Sequence, residues 1–474
     1  MNVRYLRSLR FILPGIILCI LGACAHEATP ENDSGGIQVS QEYPRYWQVD
    51  GKPIILLGAT DDDNLFQWTG HKLSDHLESL VNAGGNYIRN TMSSRDSGNV
   101  QPFQRLDNGQ YDLTKWNDEY WNRFENLLKE TASRDIIVQV EFWAYHDLFD
   151  EFWAISPWNP VNNVNYDTVQ TRLASAYENN FETAHDFFFI IPDFNNDELL
   201  LKLQSRYFEK ILSYTMNYEH ILYCITNEIF PQYPHEWGWY WAAVIRNHAE
   251  ESGQQVNISE MYWQIDFTHE QHLGSLRHPE MYDYFEGSQN SARVGQENWK
   301  NMQYVYQELV SQPRPINNVK IYGADMGINW TNSGAEAADR FWRNIIGGCA
   351  SSRFHRPPYG IGLSDASRAS IRSMRMFLKE FDIMRAQPDS DLTLLSDRET
   401  NEAYLAFITD EKYAVYFPAG GGVSVKVPDG QYAVEWLHID ESRWTNQEQF
   451  DANGNITLTV PSDARYLALM TRAE

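Results

Sequence analysis

Short, nearly continuous apolar runs alternate with longer amphipathic stretches between Tyr46 and Ile383. The runs are Tyr46 to Leu57, Asn86 to Asn90, Ile136 to Phe142, His220 to Thr226, Val256 to Ser259, Met281 to Phe285, Val319 to Tyr322 and Cys349 to Phe354. The first carries an Asp50-Gly51 turn, which predicts a hairpin leading into a strand. Apolar positions at three- and four-residue spacing predict helices over Leu73 to Ala83, Trp116 to Ser133, Leu199 to Met216, Trp239 to Glu251 and Ala335 to Ile346. Strands that are apolar nearly throughout suit a parallel sheet covered on both faces. Repeated strand-then-helix units predict an α/β fold, a (β/α)8 TIM barrel. A doubly wound sheet is the competing arrangement, but no GxGxxG follows a first strand and there is no P-loop.

The pattern changes after Ile383. From Asp391 to Ala473 the runs are short and alternating, as in AYLAFIT, KYAVYFP and YAVEWLHI, with turns at Pro428-Asp429-Gly430 and Asn453-Gly454. This predicts a small C-terminal all-β sandwich domain. The organisation read from the chain is 1–23 signal peptide, 24–40 flexible tether, 41–385 barrel and 386–474 β-sandwich.

Composition narrows the function. Across 474 residues the hydrophobic share is 43% and the charged share 22%, as in globular proteins. A net charge of −26 disfavours nucleic acid as a partner, because phosphates would be repelled. Aromatic residues make up 14%, with 16 Trp, more than core packing usually needs; flat apolar rings suit sugars. Four cysteines do not make a disulfide scaffold. Cys224 and Cys349 lie in apolar runs and read as inert core.

Arg4, Arg7 and Arg10 precede a short apolar run from Phe11 to Ile20, the form of an export signal too short to span a bilayer. Leu21-Gly22-Ala23-Cys24 resembles a bacterial lipobox, which implies lipidation of Cys24. Ala25 in place of Asp then implies the outer membrane, with membrane contact only through this anchor.

In a parallel barrel, chemistry sits at the C-terminal ends of the strands. After the fourth run comes Thr226-Asn227-Glu228, a carboxyl at a half-apolar rim. Desolvation there would raise its pKa, as a general acid requires. After the seventh comes Tyr322-Gly323-Ala324-Asp325, whose carboxylate would face Glu228 across the mouth. Two opposed carboxyls are the apparatus of glycoside hydrolysis. Glu286, after the sixth run, is the substitute for Asp325.

Arg89 and His146 end the second and third strand regions, and Trp143, Trp158, Tyr262 and Trp263 are candidate stacking platforms for sugar. Arg353, His355 and Arg356 could bind a uronate or sulfate on an acidic glycan, although pairing with local carboxylates is the commoner use. Asp61-Asp62-Asp63 reads as substrate contact or helix cap before it reads as a metal site, and Asp197 as a helix cap. No HExxH, Cys-His cluster or GxSxG is present, and no metal or cofactor is implied.

Together these residues resemble clan A of the glycoside hydrolases: Asn227-Glu228 after strand four, Gly85-Asn86-Tyr87-Ile88-Arg89 at strand two and a carboxylate after strand seven. The resemblance implies a retaining barrel with Glu228 as acid/base, Asp325 as nucleophile and Arg89 supporting the nucleophile. The clan's nucleophile is Glu, and the shorter Asp325 leaves retention, inversion and a noncatalytic site all open. More narrowly, the chain resembles lipoprotein-type glycosidases with a C-terminal collagen-binding-type β-sandwich, on segments such as Pro157-Trp158-Asn159-Pro160 and Phe341-Trp342-Arg343-Asn344. The expected partner is a plant or algal poly- or oligosaccharide. A carbohydrate-binding lipoprotein without turnover is the alternative, and a uronate lyase a third reading.

Overall fold

The computed structural model describes residues 35–177 and 185–473. Cys24, the expected signal peptide and most of the expected tether lie outside the described residues. The end of that tether belongs to the fold. Gln38–Val39 pairs antiparallel with Trp47–Val49, and the amide of buried Ile37 donates to Glu219 O at 2.8 Å. Trp47–Val49 and Lys52–Ile54 form the expected hairpin, with positive φ at both Asp50 and Gly51.

A curled parallel sheet follows. Its strands are β1 (Leu56–Ala59), β2 (Tyr87–Thr91), β3 (Ile137–Ala144), β4 (Ile221–Asn227), β5 (Ile258–Ser259) and β8 (Ser351–Phe354), in the order β5-β4-β3-β2-β1-β8. Gly58 on β1 permits the closest approach, since a Cβ there would lie 1.9 Å from Tyr87 O. A parallel ribbon of β6 (Phe285–Glu286) and β7 (Ile316–Asn317) stands between the two ends of the sheet. Asp283 N donates to Ile258 O on one side at 2.8 Å, and Ala350 N to Ile316 O on the other at 2.8 Å. Residues 318–322 continue beside β8, where Ile321 forms a parallel bridge with Phe354. Every residue of β3 and β4 is buried, Gln139 and Glu141 included, which suits their mostly apolar character.

Seven longer helices accompany these strands among the described residues: α1 (His71–Asn82), α2 (Asp118–Ala132), α3 (Glu198–Thr215), α4 (His235–Ser252), α5 (Gly295–Glu308), α6 (Gly334–Ile346) and α7 (Asp365–Glu380). The Asp197 carboxylate caps α3 by accepting from Leu200 N at 3.0 Å. Helices α5 and α7 were not expected, because Gln, Asn, Ser and Arg interrupt their apolar stripes. Cys224 and Cys349 are free and buried.

The C-terminal segment forms two antiparallel sheets. The larger holds β9 (Gln387–Pro388), β11 (Tyr404–Ile408), β12 (Lys412–Phe417), β14 (Gly430–His438), β15 (Arg443–Ala452) and β17 (Tyr466–Arg472). The smaller holds β10 (Leu395–Ser396), β13 (Gly422–Lys426) and β16 (Asn455–Thr459). Alternation divides the larger sheet between two cores. Leu405, Val415 and Phe417 pack with Val423, Val425 and Leu458 of the smaller sheet. Tyr404, Ala406 and Tyr416 instead join the main core. There Tyr416 stacks on Trp342 of α6 at 5.7 Å, and its hydroxyl donates to Asp339 at 2.7 Å.

Candidate active site

Glu228 is the first residue beyond β4, and its backbone turns there with φ +66°. That left-handed conformation costs a residue with a Cβ of the order of 1 kcal/mol. It sets the side chain on the floor of a cleft of about 420 Å³. Four neighbours converge on the carboxylate. Lys320 Nζ, Tyr322 Oη at 2.8 Å and Gln289 Nε2 at 2.7 Å donate to Oε1, and His146 Nε2 lies 2.8 Å from Oε2. Lys320 also donates to Asn227 Oδ1 at 2.9 Å. Burial pushes the Glu228 carboxyl up, but the Lys320 ammonium and the His146 hydrogen bond outweigh it and hold the carboxyl well below its ordinary range. Burial lowers the Lys320 ammonium in turn, while Glu228 acts to keep it charged.

A second carboxylate, Asp63, follows β1 and lines the same cleft. Three guanidiniums meet at its Oδ2: Arg356 at 3.0 Å, Arg89 at 3.3 Å and Arg95 at 3.4 Å. Burial opposes ionisation of Asp63, yet Arg89, His355, Arg356 and Arg95 together keep it well below the usual carboxylate range. Each arginine has another acidic neighbour as well: Glu141 for Arg89 at 3.4 Å, Asp147 for Arg95 at 2.9 Å and Asp96 for Arg356 at 3.9 Å. The cluster is close to charge balance, so its cations are structural partners first.

The rim is aromatic. Trp330 is 55% exposed, stands edge-on to Tyr322 at 5.1 Å and lies 5.7 Å from the Tyr359 ring at a 30° tilt. A rim of this kind offers a flat apolar surface beside polar groups, the combination a pyranose ring requires.

The structure brings together some of the residues expected from sequence and separates others. Asn227, Glu228, His146 and Arg89 all line the cleft. Asp325 does not. The chain turns sharply at Gly323, φ +126°, where a Cβ would sit 2.5 Å from Ser333 O, and then runs out over the surface. Asp325 is exposed there and accepts from Gly334 N at 3.1 Å, at the start of α6. From beyond β7 it is Lys320 and Tyr322, not Asp325, that reach Glu228. The expected raised pKa of Glu228 is also corrected, since desolvation is overridden by the Lys320 charge.

Glu286 is buried away from the cleft, accepting from Gln139 Nε2 at 3.2 Å and from Ser288 N at 3.0 Å. Burial pushes its carboxyl up to about 7. Arg353 is buried and donates to Val319 O at 2.6 Å and to Thr60 Oγ1, so it braces β8 instead of meeting solvent. Tyr262 is buried, its hydroxyl 3.1 Å from His235 Nδ1, and Trp263 packs edge-on to Phe230 at 4.8 Å; neither lines the cleft. Trp143 is 4% exposed and faces a neighbouring slot. Among the described residues, no three His, Cys, Asp or Glu side chains converge as metal ligands.

Sequence reasoning missed Lys320, Tyr322, Gln289 and Trp330. A lysine inside the apolar run VKIY was the available signal, since a buried ammonium needs a carboxylate partner.

The sequence profile of a domain of unknown function, DUF6298, matches residues 91–262, a stretch that includes His146 and Glu228. No curated protein matches the chain. Among solved structures, a glycoside hydrolase family 5 protein from Bacteroides vulgatus is 14% identical, with a TM-score of 0.63 over 92% of this chain and 94% of its own. Another, described as a glycoside hydrolase, is 13% identical, with a TM-score of 0.62 over 93% of this chain and 97% of its own. At these identities the likeness is one of fold: a mixed helix and sheet architecture, built on a curled parallel sheet, of the glycosidase type.

Proposed function

We propose that this chain hydrolyses glycosidic bonds of a plant or algal polysaccharide, or of its oligosaccharides, with Glu228 as the essential carboxylate. In this reading the curled sheet and the ribbon are the wall of one (β/α)8 barrel. The C-terminal sheets form a sandwich that braces it. The protein is held at the outer membrane by lipid on Cys24. The observation that carries the proposal is the convergence of Lys320, Tyr322, Gln289 and His146 on Glu228, at the C-terminal end of β4 in a glycosidase-type fold.

A carboxylate held ionised suits the positive charge that develops at the anomeric carbon better than it suits proton donation. Glu228 therefore attacks or stabilises that carbon, a different role from the acid/base role inferred from sequence. As the C–O bond breaks, the leaving oxygen must gain a proton. His146, 46% exposed and in contact with Glu228, is the group at the rim able to deliver it. The imidazole regains its proton from the water that completes hydrolysis. Asp325 has no part in this scheme.

A second reading has its own support. Lys320 occupies the place facing Glu228 where a second carboxylate was expected, as on a glycosidase fold kept only for binding carbohydrate. Incubation with a panel of plant and algal polysaccharides, followed by product analysis, separates the two. Hydrolysis releases shortened sugars, whereas a binding protein retains the polymer and releases none.

A further inference from the structure

Of the three arginines gathered at Asp63, two are already spent. Arg89 is fully buried, and Arg95 divides its Nη groups between Asp147 at 2.9 Å and Asp63 at 3.4 Å. Arg356, two residues past β8, differs from both. Its Nε donates to Asp63 Oδ2 at 3.0 Å, but neither Nη has a hydrogen-bond acceptor among the described residues, and neither is sealed from solvent. Asp96 Oδ1 stands 3.9 Å from Nη2, beyond hydrogen-bond reach. Asp63, Asp96 and Arg356 all line the cleft, so an Nη group flanked by those two carboxylates is reached from it. Asp63 thus fixes the guanidinium by one corner and leaves its outer edge, two parallel N–H groups, to a ligand. Of the cations expected to act together after β8, Arg353 and His355 are buried, and Arg356 is the one placed to meet a ligand.

Charge sets the cleft apart from the rest of the chain. Among the described residues, its lining holds four Lys or Arg side chains against three Asp or Glu. The whole sequence holds 38 Lys and Arg against 64 Asp and Glu. An anionic polymer is therefore repelled by the surface at large and finds its favourable field in the cleft. The outer edge of a guanidinium matches an anion that presents two oxygens, whereas a sugar hydroxyl offers one oxygen and no charge.

We propose that Arg356 receives an anionic substituent of the glycan bound in the cleft, a uronate carboxylate or a sulfate ester. The two Nη groups donate to two oxygens of that anion, while Asp63 keeps the guanidinium in place. Asp96 is the competing acidic neighbour that the anion displaces from Nη2. The cleft thereby selects charged over neutral polymer. The inference rests on the carbohydrate reading of the cleft.

The test is titration calorimetry with polygalacturonate beside its carboxyl-reduced form, and with carrageenan beside its desulfated form. A charge-assisted pair of hydrogen bonds predicts about ten-fold tighter binding of the anionic member of at least one pair. The pair that shows it tells carboxylate from sulfate. Arg356→Lys, which keeps the charge and loses the paired geometry, is expected to lower the preference to about three-fold, and Arg356→Gln to abolish it. Asp96→Asn is expected to tighten binding of the anionic form about three-fold and to leave the neutral form unchanged. Melting midpoints check that each variant folds, and Asp96→Asn decides the matter if Arg356→Gln does not. Equal affinity of the wild type within both pairs overturns the anion assignment alone. So does a preference undiminished in Arg356→Gln, or an anionic affinity unchanged in Asp96→Asn. Failure to bind any polymer, charged or neutral, overturns the carbohydrate reading, and this assignment with it.

Discussion

Lys320 reaches Glu228 from beyond the seventh strand, its ammonium donating to the same carboxylate oxygen that accepts from the Tyr322 hydroxyl. Both residues are buried, so each charge depends on the other to offset lost hydration. Removing the cation leaves burial to dominate the carboxyl. Lys320→Met is therefore expected to move the acidic limb of the kcat/KM–pH profile upward by about one unit or more. The profile of the wild type, with Glu228 held low, stays flat into more acidic solution. Matched pH–rate profiles check this.

Asp63 holds three arginines at one oxygen, and its loss would leave buried positive charge without its shared partner. Asp63→Asn is expected to lower stability by about 3 kcal/mol or more in urea denaturation at neutral pH. The folded pKa of Asp63 is depressed, so its contribution is complete above the unfolded pKa and is lost as pH falls through the folded one. The gap between the two proteins should accordingly shrink in strong acid.

Glu286 behaves in the opposite sense. Its folded pKa, about 7, exceeds the ordinary 4.5, so the stability linked to it is complete below the unfolded pKa and is lost as pH rises through the folded one. Glu286→Gln stays neutral throughout and removes that slope. Between pH 5 and pH 8, the wild type is expected to lose up to about 3 kcal/mol relative to the variant, as read by denaturation at the two pH values.

Trp330 is exposed at the cleft rim and is not part of either core. Trp330→Ala is expected to weaken glycan binding about ten-fold while shifting the melting midpoint little. Affinity electrophoresis and a thermal melt read the two effects separately.

Much of the fold was legible in the chain because its central strands are buried on both faces. The runs at Ile136 to Phe142 and His220 to Thr226 lie within a residue or two of β3 and β4. The Asp50-Gly51 hairpin and the Asp197 cap were equally plain, since each depends on local backbone chemistry. Strand β15 was not legible. It lies at a sheet edge, and its mostly polar residues carry no alternation of the kind a half-buried strand shows.

The candidate site divides along the same line. Glu228, Asn227, His146 and Arg89 sit directly at strand ends, and position alone placed them at the mouth. Asp325 lies only three residues past Tyr322, but the Gly323 turn carries it out to the surface. Lys320 was hidden because it stands inside an apolar run, where a charged residue is meaningful only once its partner is known. Trp330 is brought to the rim by a loop, and the sequence does not set that loop's path.

The most direct test is product release from glycans by the wild type and by Glu228→Gln, with binding measured alongside. The proposed chemistry predicts shortened sugars from at least one polysaccharide, and a loss of about a thousand-fold or more in rate for the variant with binding retained. Glycan binding by the wild type with no product at long incubation would contradict it, and so would undiminished turnover in Glu228→Gln.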